Sequence, residues 1–74
     1  MSAKEMFEEL GYKQVYRIAY IKYYNEDDDL YIWFNQEDET IDIRFDFGVD
    51  ILQAINKQVE ELWGDDLLKN NGTQ

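Results

Sequence analysis

The spacing of apolar residues changes twice along this chain of 74 residues, and this change is the strongest constraint on its fold. Near each end, apolar residues recur every three or four positions, which is typical of an amphipathic helix. Between residues 14 and 47 they alternate with polar neighbours instead, which is typical of strands with one buried face. The pattern therefore predicts an α+β domain in the order helix, strands, helix, with room for one hydrophobic core.

The two helices are predicted from their apolar spacing and from signals at their ends. The first covers residues 3 to 10, because Ser2 and Glu5 have the spacing of a capping box, in which each side chain accepts a hydrogen bond from a free backbone amide. The second covers residues 49 to 63, since Gly64 can take the left-handed conformation that ends a helix. Residues 1–68 are expected to form a single domain, and residues 69–74 a frayed tail.

Three strands are predicted between the helices, joined by short acidic turns that suit antiparallel hairpins. The first strand is ambiguous, because its two faces are both partly apolar; Val15, Ala19, Ile21 and Tyr23 share the face that also carries Arg17. We therefore expect the other face of the first strand to point inward. The predicted inward residues are Tyr16, Ile18 and Tyr20 on the first strand, Leu30, Ile32 and Phe34 on the second, and Ile41, Ile43, Phe45 and Phe47 on the third. The expected architecture is a three-stranded antiparallel meander (αβββα) with both helices packed on one face.

The residue types present exclude several kinds of site. The chain has no Cys and no His, which rules out disulfides, imidazole or thiolate zinc sites, and Ser-His or Cys-His catalytic pairs. Asn25, Asp27 and Asp29 begin like a calcium-binding loop. However, Leu30 and Gln36 stand at its sixth and twelfth positions, where that loop needs Gly and Glu. A glycosidase-like carboxylate pair has no specific signal among seventeen acidic residues. We therefore predict no enzymatic activity, no metal site and no cofactor.

The N-terminus has no basic region followed by an apolar stretch, as an export signal would require. The longest apolar run is Leu30 to Phe34, which is too short to span a membrane. We expect a cytoplasmic protein without a membrane partner.

The negative charge is concentrated in one part of the chain. Of the net charge of −10, residues 25 to 50 carry ten acids and one base, Arg44. Nine of these acids form a candidate partner-binding set on the predicted turns and third strand: Glu26, Asp27, Asp28, Asp29, Glu37, Asp38, Glu39, Asp42 and Asp46.

This acidic set has two interpretations. In one, solvated turn carboxylates keep the sheet soluble and block edge pairing. In the other, they imitate nucleic-acid phosphates and bind the basic groove of a nucleic-acid-binding host protein. Direct nucleic-acid binding is not expected, because the acidic surface repels phosphate and Arg17, Lys22 and Arg44 make a poor basic patch.

A second candidate surface is the sheet face opposite the helices. Surfaces rich in Trp and Tyr often mark interaction sites, and a small domain gains stability by burying one against a partner or a copy of itself. The alternative is a face screened by basic side-chain stems or by the C-terminal tail. The residues expected on this aromatic face are Ile21, Tyr23, Tyr31 and Trp33.

Both ends of the chain resemble short phage and prophage proteins of Gram-positive bacteria. The resemblance lies in residues 5–12, EMFEELGY, and residues 52–63, LQAINKQVEELW, and covers roughly a third of the chain. It implies a phage accessory protein with an aromatic-rich β region, but no mechanism and no functional residues. The layout also resembles some small acidic anti-CRISPR proteins, which compete for a nucleic-acid-binding groove; this is an architectural analogy.

The leading functional hypothesis is therefore a non-enzymatic phage accessory protein of the host cytoplasm. It would bind a basic host protein through an acidic hairpin end, as an inhibitor or nucleic-acid mimic. The alternative is a homodimeric interaction protein that uses the Tyr31 and Trp33 face.

Overall fold

The computed structural model describes residues 1–27, 29–44 and 48–64. The elements, in chain order, are α1 (Ala3–Glu9), β1 (Lys13–Tyr16), β2 (Tyr20–Asn25), β3 (Leu30–Asn35), β4 (Thr40–Arg44) and α2 (Val49–Trp63). The strands form one antiparallel sheet in the order β1-β2-β3-β4. The predicted α+β class is confirmed, but the sheet has four strands rather than three. The predicted strand residues Phe45 and Phe47, and the predicted tail, lie outside the described residues.

The additional strand arises because the segment predicted as the first strand folds back on itself after Tyr16. The Arg17 amide donates a hydrogen bond to the Tyr20 carbonyl oxygen at 2.8 Å, and Tyr16 pairs with Ile21 across the hairpin. Ile18, in the turn, is 96% exposed. The turn contains none of the Gly, Pro, Asn, Asp or Ser residues that usually mark a change of direction. The alternation of apolar residues therefore predicted a single strand that continues through it.

This fold-back corrects the predicted inward face. Ile21 and Tyr23 point to the helices and are 3% and 0% exposed. Of the three residues predicted to point inward, Tyr16 lies opposite Ile21 on the inner face but is 61% exposed. The prediction is wrong for Ile18, which lies in the turn, and for Tyr20, which points away from the core. The presence of Arg17 on the same predicted strand face as Ile21 and Tyr23 was the reason to expect that face to point outward. Arg17 instead lies in the turn rather than in a strand.

Both helices pack on this inner face and supply the other half of the core. The core combines Phe7 of α1 and Ala54, Ile55 and Val59 of α2 with strand residues. At the start of α1 the predicted capping box is present: the Ser2 hydroxyl accepts from the Glu5 amide at 3.2 Å, and the Glu5 carboxylate accepts from the Ser2 amide at 2.8 Å. α2 ends at Gly64, whose φ of 75° is left-handed, as predicted.

A buried tyrosine hydroxyl links three elements inside the core. The Tyr23 ring stacks on Phe7 with centroids 3.9 Å apart. Its hydroxyl accepts a hydrogen bond from the Gln14 amide nitrogen at 3.0 Å and donates one to the Gln58 side-chain oxygen. Burial raises the pKa of Tyr23 to about 12, so the hydroxyl stays protonated and joins β1, β2 and α2.

Candidate binding surface on the outer face of the sheet

The outer face of the sheet is the one that points away from both helices. Successive side chains of a strand point to opposite faces, and the strand register arranges the outward ones in rows. These rows are Lys13, Tyr24, Tyr31 and Arg44; then Val15, Lys22, Trp33 and Asp42; then Tyr20, Asn35 and Thr40. We call these residues the outer face.

The centre of the outer face is a cluster of aromatic rings around one lysine. The rings of Tyr20 and Trp33 are 4.6 Å apart at an interplanar angle of 34°. The Lys22 ammonium lies 5.2 Å from the Trp33 ring centre and 5.5 Å from that of Tyr24, within the range of a cation–π interaction. Each of these side chains is partly exposed, so ring surface and positive charge are presented together.

The outer face gathers most of the bases of the sheet, although the chain carries a net charge of −10. It holds three cations, Lys13, Lys22 and Arg44, against one carboxylate, Asp42. Arg17 lies in the adjoining β1–β2 turn. The strand register thus brings Lys13, Lys22 and Arg44, which are far apart in sequence, onto one face.

Two of these cations have a carboxylate neighbour, and the third does not. Lys13 lies 3.6 Å from Glu26, and Arg44 lies 3.6 Å from Asp29. All four side chains are more than half exposed, so these pairs are weak and exchange readily with other anions. Among the described residues, Lys22 has no carboxylate within ion-pair distance. The central ammonium therefore relies on the aromatic rings around it.

The acidic turns do not form one acidic end, which corrects the geometry expected from the sequence. The β2–β3 turn and the β3–β4 turn lie at opposite ends of β3, a strand of six residues that spans about 20 Å. The described acids are Glu26, Asp27 and Asp29 at one end, Glu37, Asp38 and Glu39 at the other, and Asp42 on the outer face. Asp28 and Asp46 lie outside the described residues.

Polar side chains in and beside both turns also have a local structural use. Asp38 accepts hydrogen bonds from the Thr40 amide at 3.3 Å and from the Thr40 hydroxyl at 2.7 Å. Asn25 accepts one from the Asp27 amide at 3.0 Å. Side chains that fold back on the backbone in this way are typical of turns, which favours the interpretation of solvated, turn-forming residues.

The expected aromatic face is only partly reproduced. Tyr31 and Trp33 lie on the outer face, but Ile21 and Tyr23 lie in the core and do not belong to it. In their place the outer face has Tyr20, Lys22 and Tyr24. The two-residue alternation along β2 could have identified Tyr20, Lys22 and Tyr24, since burial of Ile21 and Tyr23 forces their neighbours outward.

A groove of about 290 Å³ lies at the β2–β3 turn, lined by outer-face residues and also by Asn25 and Leu30 of the inner face. Lys22, Tyr24 and Tyr31 line it, and Glu26 and Asp29 lie at its turn end. Its volume is close to the lower limit of small-molecule sites, about 300 Å³. The groove therefore offers room for a flat group between the aromatic rings and the lysine.

Within residues 1–27, 29–44 and 48–64, no three acidic side chains come together in a group that could hold a metal ion. In the same part of the chain, neither helix is long and apolar enough to cross a membrane.

Comparison of the chain with protein-family models, with curated proteins and with solved structures found no match. The phage origin implied by residues 5–12 and 52–63 therefore stays a hypothesis, and the functional argument rests on the outer face.

Proposed function

We propose that this chain is a non-enzymatic binding protein that holds an anionic partner on the outer face of its sheet. The observation that carries the proposal is the combination of aromatic rings and cations around Lys22, Tyr24 and Trp33. Within the described residues, both helices pack on the other face of the sheet. Partly exposed Trp, Tyr and Arg side chains are the residue types that most often supply binding energy at interfaces.

The net charge of −10 does not decide the local preference of this face. At physiological ionic strength the Debye length is about 8 Å, whereas the two acidic turns lie about 20 Å apart along β3. A ligand above Lys22 in the middle row lies at about half that distance from each turn, so the turn carboxylates are partly screened there and the charges on the outer face have more influence. The net charge instead slows the approach of an anion, because it acts at longer range.

A second copy of the chain fits the outer face poorly. Four strands about 4.8 Å apart, each showing about five residues, give a face of roughly 20 by 17 Å, or about 350 Å² in projection. A stable interface buries about 800 Å² of accessible surface on each partner. Two outer faces in contact would also bring cations against cations, which disfavours association. The homodimer stays a prediction that light scattering of the purified protein tests directly.

A basic host protein is a weaker candidate than the sequence suggested. The two acidic turns lie at opposite ends of β3, so they do not form one flat contact surface. In addition, Glu26 and Asp29 each lie beside a base. Binding of a basic protein through a single turn stays a prediction, which binding of oligoarginine tests.

The test compares defined polymers of opposite charge by fluorescence anisotropy. These are a labelled oligothymidylate, a Glu-Tyr copolymer and an oligoarginine. The proposal expects at least one anionic polymer to bind, and Lys22→Glu to weaken that binding about tenfold or more, equivalent to about 1.4 kcal/mol. Lys57→Glu changes the net charge equally but lies on α2, so it should have little effect.

Three results would contradict the proposal. The anionic polymers could fail to bind, binding could be confined to the oligoarginine, or Lys22→Glu and Lys57→Glu could weaken binding equally. The last result would mean that only net charge matters and that the outer face is not the contact surface.

A further inference from the structure

We infer that the anionic partner held by the outer face is a single-stranded nucleic acid, with bases stacked on the aromatic rings and phosphates beside the cations. This inference rests on the proposed function and names the partner's chemistry. Surfaces that bind single strands combine a positively charged track with aromatic platforms. The outer face has aromatic rings and cations in one patch.

The rings are placed to serve more than one base. Tyr31 and Trp33 stand two residues apart on β3, a separation of about 7 Å, and Tyr24 pairs with Tyr31 on the neighbouring strand. The groove lined by Lys22, Tyr24 and Tyr31 can accept a flat base at its ring-lined wall. Stacking tolerates every base, because each has a π face, so no strong sequence preference is expected.

The cations are placed beside the rings rather than apart from them. Lys13 and Arg44 close the two ends of the row that contains Tyr24 and Tyr31, and Lys22 lies in the next row. A strand whose bases stack along these rows has phosphates within reach of all three side chains. The exposed carboxylates paired with Lys13 and Arg44 are readily displaced by phosphate, because exposed ion pairs contribute little.

Other anionic partners use less of this surface. An acidic peptide would satisfy the cations but would leave most of the ring surface without a stacking partner. A double helix keeps its bases inside the stack, so it would gain from the cations alone. The sequence argued against nucleic acid because the acidic surface repels phosphate and because Arg17, Lys22 and Arg44 make a poor basic patch. The register of the four strands changes the second argument, since it places Lys22 and Arg44 on one face with Lys13.

The experiment measures anisotropy with a labelled oligothymidylate of about 12 nucleotides, within the usual site size of such surfaces. Competitors are a duplex of the same length and a Glu-Tyr copolymer of matched charge. We expect the single strand to bind at least about tenfold more tightly than either, a difference of about 1.4 kcal/mol. The logarithm of the binding constant should fall with the logarithm of salt concentration with a slope of about −2, since three cations contribute about 0.7 each.

The matched variants separate stacking from charge. Trp33→Ala should weaken single-strand binding at least about fivefold, whereas Trp33→Phe keeps a ring and should retain most of the affinity. Tyr31→Ala serves as a second variant should Trp33→Ala fail to fold, which circular dichroism and urea unfolding reveal. Lys57→Glu is the control for net charge.

The outcomes distinguish this inference from the proposed function. Should the copolymer or the duplex bind as tightly as the single strand, with the same loss in Lys22→Glu, the inference is overturned and the proposed function stands. If neither anionic polymer binds, both are overturned. A Trp33→Ala protein that is folded and binds the single strand like wild type also overturns the inference, because stacking on Trp33 is its basis.

Discussion

Tyr23→Phe is the substitution whose effect on folding the structure specifies most closely. It keeps the ring that stacks on Phe7 and removes only the hydroxyl oxygen. That oxygen accepts from Gln14 and donates to the side-chain oxygen of Gln58. Gln58 is only 4% exposed, so its oxygen loses its donor in a place that water does not readily reach.

The expected cost follows from these two broken hydrogen bonds. A buried polar group left without a partner costs about 1–3 kcal/mol. Gln14 is only partly buried and can turn toward water, so most of the cost comes from Gln58, and we expect a loss of about 2 kcal/mol in the free energy of unfolding. With a urea m-value of about 1 kcal/mol per molar for so small a domain, the midpoint should fall by about 2 M.

The matched control is Tyr16→Phe, because Tyr16 is 61% exposed. It should change the free energy of unfolding by less than about 0.5 kcal/mol. Gln58→Leu combined with Tyr23→Phe removes both partners, so the double variant should lose much less than the sum of the two single losses. Equal midpoints for Tyr23→Phe and Tyr16→Phe, or strictly additive losses, would refute the reasoning.

Three further predictions concern pH and the helix ends. The pKa of Tyr23 is raised from 10.0 to about 12. The protonated hydroxyl therefore contributes its full stabilisation below about pH 10, and this contribution is lost as the pH rises toward 12. Urea unfolding across this pH range should show a smaller fall in the free energy of unfolding for Tyr23→Phe than for wild type. Gly64→Ala should cost about 1 kcal/mol because φ is 75°, whereas Gly48→Ser, at the N-cap of α2 where nothing lies within 4 Å of an added Cβ, should leave the melting temperature unchanged or raised, because Ser is a good N-cap residue. Ser2→Ala should lower stability by about 1 kcal/mol. The hydrogen bonds from the backbone and side chain of Ser2 lower the pKa of Glu5 in the folded protein. The ionised Glu5 carboxylate therefore contributes its full stabilisation at pH values above its pKa in the unfolded chain, and this contribution is lost as the pH falls through its pKa in the folded protein. An NMR titration of Glu5 in the wild-type and Ser2→Ala proteins checks this.

Elements with a local signal could be predicted from the sequence. The Ser2 and Glu5 capping box placed the start of α1, and apolar spacing closed by Gly64 placed α2. The alternation of Leu30, Ile32 and Phe34 also identified the inner face of β3, since all three contact the core. Each of these signals lies within one short stretch of chain, so it does not depend on which segments meet in space.

Features that depend on pairing between segments could not be predicted. The turn after Tyr16 carries no turn-forming residue, so the first predicted strand ran through it and the wrong face was assigned to Tyr20 and Tyr23. The bases on the outer face are far apart in sequence and come together only through the register of four strands. The separation of the acidic turns likewise follows from β3 running between them.

The most direct test of the outer face as a surface that presents cations beside partly exposed rings is ionic quenching of Trp33 fluorescence. Trp63→Phe leaves Trp33 as the only tryptophan, and quenching by iodide and by caesium is compared at equal ionic strength. We predict stronger quenching by iodide despite the net charge of −10, and reversal of this preference in Lys22→Glu, because the Lys22 ammonium lies 5.2 Å from the Trp33 ring. Stronger quenching by caesium in the Trp63→Phe protein, or protection from both ions, would contradict the account.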